Sequence, residues 1–395
     1  MGEKFAQLKD ENKILVMLAF YSISIGIWEN FKQLWLQDNL LNVARISQIL
    51  SISGLFCIIS LILISKGISL KDTKKVIVIS LFFKIINLIL LSFLNHTGQQ
   101  IIIEICIILD NVLGNLITIS IYPLILTIKR ENKLYSKRKL TEYLFKDVGI
   151  LIGGIIIGKT VAGIVMSYNI CLIISMLFSI LAYITILQIK TKAKTQEKKV
   201  ELKQSLVFMV KNKIVRAYFG YIMFSNIAMS TGLGLKMLML TNLLDFSDAG
   251  ATGYLLIIGL IADGIGIIAL KYLTPKNDYL TVTIKFGIRL WLYVLAFLTN
   301  NVVNGLIAIT WSILISTAYE NVIDAPYINY IPDEYQLKFT NYRYIFQLIG
   351  TSIGLYFAGL MYPHRNSLYT WIISIFYAFP NYIIILSSLF KKERD

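Results

Sequence analysis

Twelve stretches of this chain are each long and apolar enough to cross a lipid bilayer as a helix, and that feature alone removes most folds from consideration. The hydrocarbon core is about 30 Å thick and a helix rises about 1.5 Å per residue, so a span needs about 20 apolar residues. The runs fall at 14–35, 46–65, 76–95, 101–127, 147–166, 169–189, 217–240, 251–271, 280–299, 303–324, 343–362 and 368–390. No water reaches the backbone at that depth, so each run must satisfy its own peptide groups as a helix. Twelve is even, which places both ends of the chain on one side.

Composition agrees. Of 395 residues, 56% are hydrophobic and only 15% charged, and the mean hydropathy is +0.68. Soluble domains carry about a quarter charged residues. The net charge of +15 would suit a nucleic-acid reader only if Lys and Arg clustered on one soluble face, and here they punctuate apolar runs. No nucleic-acid partner is expected, and the lipid bilayer is. Cys57, Cys106 and Cys171 each lie inside an apolar run, as small hydrophobes and not as a disulfide frame or metal site. The polar start MGEKFAQLKDENK leads into a helix too long for a signal-peptide core, so no cleaved signal is expected. Ala6 stands where a myristoylation signal needs Ser or Thr.

Lys and Arg concentrate in the loops on one side: Lys4, Lys9 and Lys13; Lys66, Lys71, Lys74 and Lys75; six between Lys129 and Lys139; six between Lys190 and Lys203; and Lys391, Lys392 and Arg394. Of the opposite loops, NHTGQQ and SYN carry none and PHRNS only Arg365. The positive-inside rule makes both termini cytoplasmic. The Ile-, Lys- and Asn-rich composition fits an AT-rich bacterial genome, so the expected location is the bacterial cell membrane. The longest hydrophilic stretch, KTKAKTQEKKVELKQ, separates spans six and seven. The predicted division is therefore a six-helix bundle at 1–189, a cytoplasmic linker at 190–212 and a second six-helix bundle at 213–395. SLVFMVKNKIVRAYF reads as an amphipathic segment at the cytoplasmic surface.

The halves repeat each other at an offset of about 200 to 205 residues. Asn12-Lys13-Ile14 recurs as Asn212-Lys213-Ile214, and Asn39-Leu40-Leu41 as Asn242-Leu243-Leu244. Span two aligns with span eight, setting Gly54 on Gly259 and Lys66 on Lys271. YLFKDVGILIGGIIIG at 143–158 aligns with YIFQLIGTSIGLYFAG at 344–359. An offset of six spans gives both halves the same orientation, a parallel repeat.

On these residues the chain resembles the major facilitator superfamily along essentially its whole length. The loop bearing Gly67, Asp72, Lys74 and Lys75 is similar to that family's basic loop signature, with one extra residue and without the second glycine. An arginine in span four is missing, and Gly149, Gly153, Gly154 and Gly158 only partly echo the span-five signature. The resemblance implies an all-α membrane protein of twelve transmembrane helices with the major facilitator fold, built of two parallel six-helix repeats. Spans one, four, seven and ten would line a central cavity, and spans two, five, eight and eleven would form the interface between halves.

Ionisable residues at membrane depth are site hypotheses by default. Acid–amide pairs occur in three of the implied cavity helices: Glu29-Asn30, Asp110-Asn111 and Glu320-Asn321, while span seven offers Ser225, Asn226, Ser230 and Thr231. A carboxyl held at low dielectric can load and release a proton, so Glu29 and Asp110 are the expected proton or cation site and Glu320 a second acid. The alternative for each is an acid satisfied by a neighbouring Asn, Lys or backbone group. Asp324 reads as a helix-end residue. Lys159 in span five and Asp263 in span eight are the expected interdomain gate, a salt bridge that breaks when the halves rock. Gly149, Gly153 and Gly158, with Gly350, Gly354 and Gly359, are spaced for close helix packing. Trp28, Trp35, Trp311 and Tyr319 could stack on a cation, although interfacial belting explains Trp35 equally well. Gly153 to Thr160 matches the phosphate-loop pattern, but such a loop must follow a strand and open to solvent; this one lies in an apolar span.

The expected function is secondary active transport of a small molecule by alternating access, as proton-coupled efflux of amphipathic or cationic compounds from a monomer. The rivals are an uptake permease or lipid flippase of the same fold, or a non-transporting sensor or partner subunit. No His lies at membrane depth and no hydrolase or metalloprotease motif occurs, so neither enzymatic activity nor a cofactor or metal is expected.

Overall fold

The computed structural model describes residues 2–29, 31–40, 42–67, 73–94, 99–128, 132–158, 164–189, 202–243, 246–272 and 336–362. These residues are helical throughout, apart from short turns. In chain order the helices are α1 (Gly2–Glu29), α2 (Lys32–Leu40), α3 (Val43–Gly67), α4 (Thr73–Phe93), α5 (Gln100–Ile128), α6 (Asn132–Gly158) and α7 (Ile164–Leu187). They continue with α8 (Leu202–Lys211), α9 (Lys213–Leu233), α10 (Lys236–Leu243), α11 (Asp248–Tyr272) and α12 (Gln336–Met361). Among the described residues seven helical stretches are long and apolar enough to cross a membrane. The predicted spans at 280–299, 303–324 and 368–390 lie outside the described residues.

Local chemistry sets several helix starts. Asn212 Oδ1 accepts the Val215 N–H at 3.3 Å at the head of α9, and Ser247 Oγ accepts the Gly250 N–H at 3.1 Å at the head of α11. Both are side-chain caps for otherwise orphaned donors. Spans one and seven are each interrupted at corresponding places. Between α1 and α2 the Phe31 N–H reaches back three residues to the Trp28 carbonyl, a tightened turn. Between α9 and α10 the chain turns at Gly234 and Leu235.

By backbone proximity the chain falls into two compact units, one of residues 1–42, 59–196 and 240–256, the other of 43–58, 197–239 and 257–395. In the first unit span one is central: 71% of its apolar window is buried, against 33–39% for α4, α5 and α7. Ile14, Met17, Leu18 and Tyr21 form one helical face of α1, packed with Ile77 and Leu81 of α4, Ile117 and Leu124 of α5, and Ala182 and Ile186 of α7. Deeper along α1 the Ser24 hydroxyl lies 2.8 Å from both the Ser175 and Ser179 hydroxyls of α7. Leu55, Phe56, Ile59, Phe83, Phe93 and Ile101 are exposed, an apolar surface that suits lipid.

The repeat read from the sequence reappears in the packing. A side chain at Gly149 of α6 would be driven into the Ile23 carbonyl of α1, and one at Gly350 of α12 into the Met223 carbonyl of α9. Each glycine thus lets a backbone approach that a methyl would forbid. The second unit builds on this α9–α12 contact. Phe219 stacks on Phe346 at 4.9 Å between centroids, and Arg343 Nε donates to the Tyr218 hydroxyl at 3.0 Å. The start of α3 belongs to this unit too, through hydrogen bonds from Ser51 to the Ser352 carbonyl (2.8 Å) and from Ser47 to the Leu355 carbonyl.

Candidate functional site

Lys84 falls at the middle of the 21-residue α4, about 15 Å from either end. Asp110 lies at the same depth on α5, which runs the opposite way. An isolated charge there would cost several kcal/mol, and the first unit answers with a network. Lys84 Nζ donates to Asp110 Oδ1 at 2.7 Å. On Asp110 Oδ2 converge the Trp28 indole N–H at 3.0 Å and Lys32 Nζ at 3.2 Å. Lys32 also donates to Asn111 Oδ1 at 2.6 Å and approaches both Glu29 carboxylate oxygens at 2.7 Å.

Four helices supply these groups: Trp28 and Glu29 end α1, Lys32 opens α2, Lys84 comes from α4, and Asp110 and Asn111 from α5. Glu29 and Lys32 meet because they stand three residues apart across the interruption in span one. Around them, Tyr21 donates to the Gly114 carbonyl at 3.0 Å, and Gly114 leaves open the space between Lys84 and that hydroxyl. Trp35 packs edge-on against Trp28 at 5.7 Å. Both indoles are buried, so Trp35 supports the site from within and is no interfacial belt residue.

Exposure separates the members. The side chains of Asp110, Lys84 and Lys32 are 0%, 2% and 3% exposed, whereas that of Glu29 is 34% exposed. Two carboxylates face two ammoniums, so the network is neutral when all four are ionised. Three of its members are sealed and one is accessible.

The structure brings Glu29, Asp110 and Asn111 together around a shared lysine, the alternative in which each acid is satisfied by a neighbouring Lys or Asn. Sequence reasoning passed over Lys32 and Lys84. Asn226 is half-buried in the second unit, donates to the Ile222 carbonyl within α9 at 2.7 Å and packs against Gly350. Asn30, Lys159, Glu320, Asn321 and Asp324 lie outside the described residues, as does the side chain of Asp263 on α11. Gly153, Gly154 and Gly158 are in helical turns of α6, not in a phosphate-binding loop. Among the described residues no group of His, Cys, Asp and Glu is placed to hold a metal ion.

No family model and no curated protein matches the sequence. Solved structures do. The chain superposes on a POT family transporter in complex with 5-aminolevulinic acid with a TM-score of 0.70 at 12% identity, covering 96% of this chain and 95% of that one. A D-xylose-proton symporter gives 0.68 at 12%, covering 96% and 97%. The E. coli fucose:proton symporter FucP gives 0.66 at 13%, covering 98% and 99%. Similarity at this identity fixes architecture alone: the chain has the twelve-helix fold of the major facilitator superfamily.

Proposed function

We propose that this chain is a secondary active transporter that moves a small molecule across the cell membrane by alternating access, coupled to protons through Glu29. The observation that carries the reading is the network at mid-membrane, in which three charges are sealed and one carboxylate is accessible. A sealed charge set of this kind is costly to hold, and a membrane protein retains it where charge or substrate must pass. The named activities of the similar structures, symport of fucose or xylose with protons, support a proton-coupled carrier.

The moving bodies in this reading are the six-helix halves, 1–189 and 213–395, joined by 190–212, with both termini cytoplasmic. Lys159 and Asp263 stay proposed as a gate, and Glu320, Asn321 and Asn226 as the second half's contribution to the cavity. Efflux of cationic compounds has weaker support. That reading rests on an acid-lined cavity that attracts cations, and Asp110 has two ammonium partners while Glu29 has one. A neutral network does not draw cations.

The test is a substrate screen in proteoliposomes with an imposed pH gradient. Wild-type protein should drive accumulation, while Glu29→Gln should exchange substrate at equal pH but lose accumulation driven by the gradient. Equal gradient-driven transport by both proteins across pH would remove the coupling role of Glu29.

A further inference from the structure

We infer that the transported molecule carries a carboxylate, which takes the place of Glu29 on Lys32 when Glu29 is protonated. This rests on the transport reading above and names the cargo's recognised group.

The argument is one of charge and access. With Glu29, Asp110, Lys32 and Lys84 all ionised, the network sums to zero. The further titratable groups around it are few among the described residues. Tyr21 on α1 bonds the Gly114 carbonyl, and Cys106 lies one turn from Asp110 on α5. On α6, Gly149 faces α1 and Gly153 the Phe31 ring in the turn after it, with Glu142, Lys146 and Asp147 nearer the start of that helix. On α7, Ser175 and Ser179 face α1. Protonating Glu29 therefore leaves Lys32 and Lys84 with Asp110 alone, one positive charge in excess at mid-membrane.

Lys32 is where that excess can be met. Its acceptors are Asp110, sealed at 0% exposure and shared with Lys84 and Trp28; Asn111, a neutral amide; and Glu29, 34% exposed. Only the Glu29 position can be vacated and refilled from outside. An incoming carboxylate matches the departing one in charge and in its two oxygens, each of which sits 2.7 Å from Lys32 Nζ. An uncharged molecule would leave the excess in place, and a cation would add to it. Proton and anion thus favour each other's binding, and together they enter without net charge.

The experiment uses full-length protein in nanodiscs, with small monocarboxylates (acetate, lactate, benzoate and several α-amino and keto acids) each paired with its amide. Binding is read by thermal stabilisation and by proton uptake in weak buffer. At least one carboxylate should stabilise the protein while its amide does not, with about one proton taken up per anion and affinity falling about tenfold per pH unit on the alkaline side. Glu29→Gln should bind the same anion without proton uptake and independently of pH. Lys32→Gln should lose binding and Lys32→Arg recover it. Proton uptake by the wild type needs no variant, so a misfolded mutant does not weaken the test. Stabilisation by no carboxylate, equal stabilisation by acid and amide, or binding without proton uptake overturns the inference. Gradient-driven transport of an uncharged or cationic compound, lost in Glu29→Gln, overturns the carboxylate and leaves the transporter reading standing. Carboxylate binding with proton uptake but no transport of any compound sinks the transporter reading instead.

Discussion

Lys84 and Asp110 meet at 2.7 Å in the middle of α4 and α5, with both side chains sealed from solvent. Neither residue can be removed alone without leaving a charge of its partner set unmatched. Asp110→Asn should therefore lower stability by about 3–5 kcal/mol. The double variant Lys84→Met with Asp110→Asn should lose clearly less than the sum of the two singles. The check is a thermal unfolding series in detergent with all three variants; additive losses would mean that the pair is not coupled.

Trp28 should weigh less. Its indole is one of three donors on Asp110, so Trp28→Phe keeps the ring's packing against Trp35 and removes a single hydrogen bond to a charged group, about 1.5–3 kcal/mol. The same unfolding series should rank it between wild type and Asp110→Asn.

The serine cluster should weigh less again. Hydrogen bonds between membrane helices average about 0.6 kcal/mol and reach about 1.7. Ser24→Ala, which loses its contacts to Ser175 and Ser179, should shift the unfolding midpoint only slightly and leave the proposed transport intact. A collapse of the proposed transport in this variant would show that the α1–α7 contact has more than a packing role.

Gly149 and Gly350 should behave alike because each abuts a backbone carbonyl of the helix it crosses. Ala at either site must push that helix away, a strain of about 1–3 kcal/mol. Leu at either should abolish accumulation of folded protein, measured by size-exclusion profile. Tolerance at one site and not at its counterpart would break the equivalence.

Cys57, Cys106 and Cys171 are all buried. A fluorogenic maleimide should label native protein slowly and unfolding protein quickly, so the native thiols themselves report the midpoints above. Rapid labelling of folded protein would contradict their burial.

Much of this was legible in the chain itself. Apolar run lengths mark the seven spans found among the described residues, and the 143–158 and 344–359 repeat anticipates the twin glycine contacts. Glu29, Asp110 and Asn111 were readable as ionisable or amide residues at depth. Lys84 is equally visible, a lone lysine in LFFKIINLIL, but it stands in the third span, outside the four helices that the resemblance implies for the cavity. Depth could have paired it: Lys84 stands nine residues before Phe93 and Asp110 ten after Gln100, on consecutive antiparallel helices. The convergence of Trp28 and Lys32 on one carboxylate oxygen could not be counted out in this way. It depends on the tightened turn at Phe31, which rotates Lys32 relative to the face of α1 that precedes it.

That turn has a mechanical meaning. The ion pair between Glu29 and Lys32 is a clasp laid across a crease, joining the last residue of α1 to the first of α2. Neutralising one partner loosens the clasp, so a single proton on that carboxylate would change how stiffly α2 is held to α1.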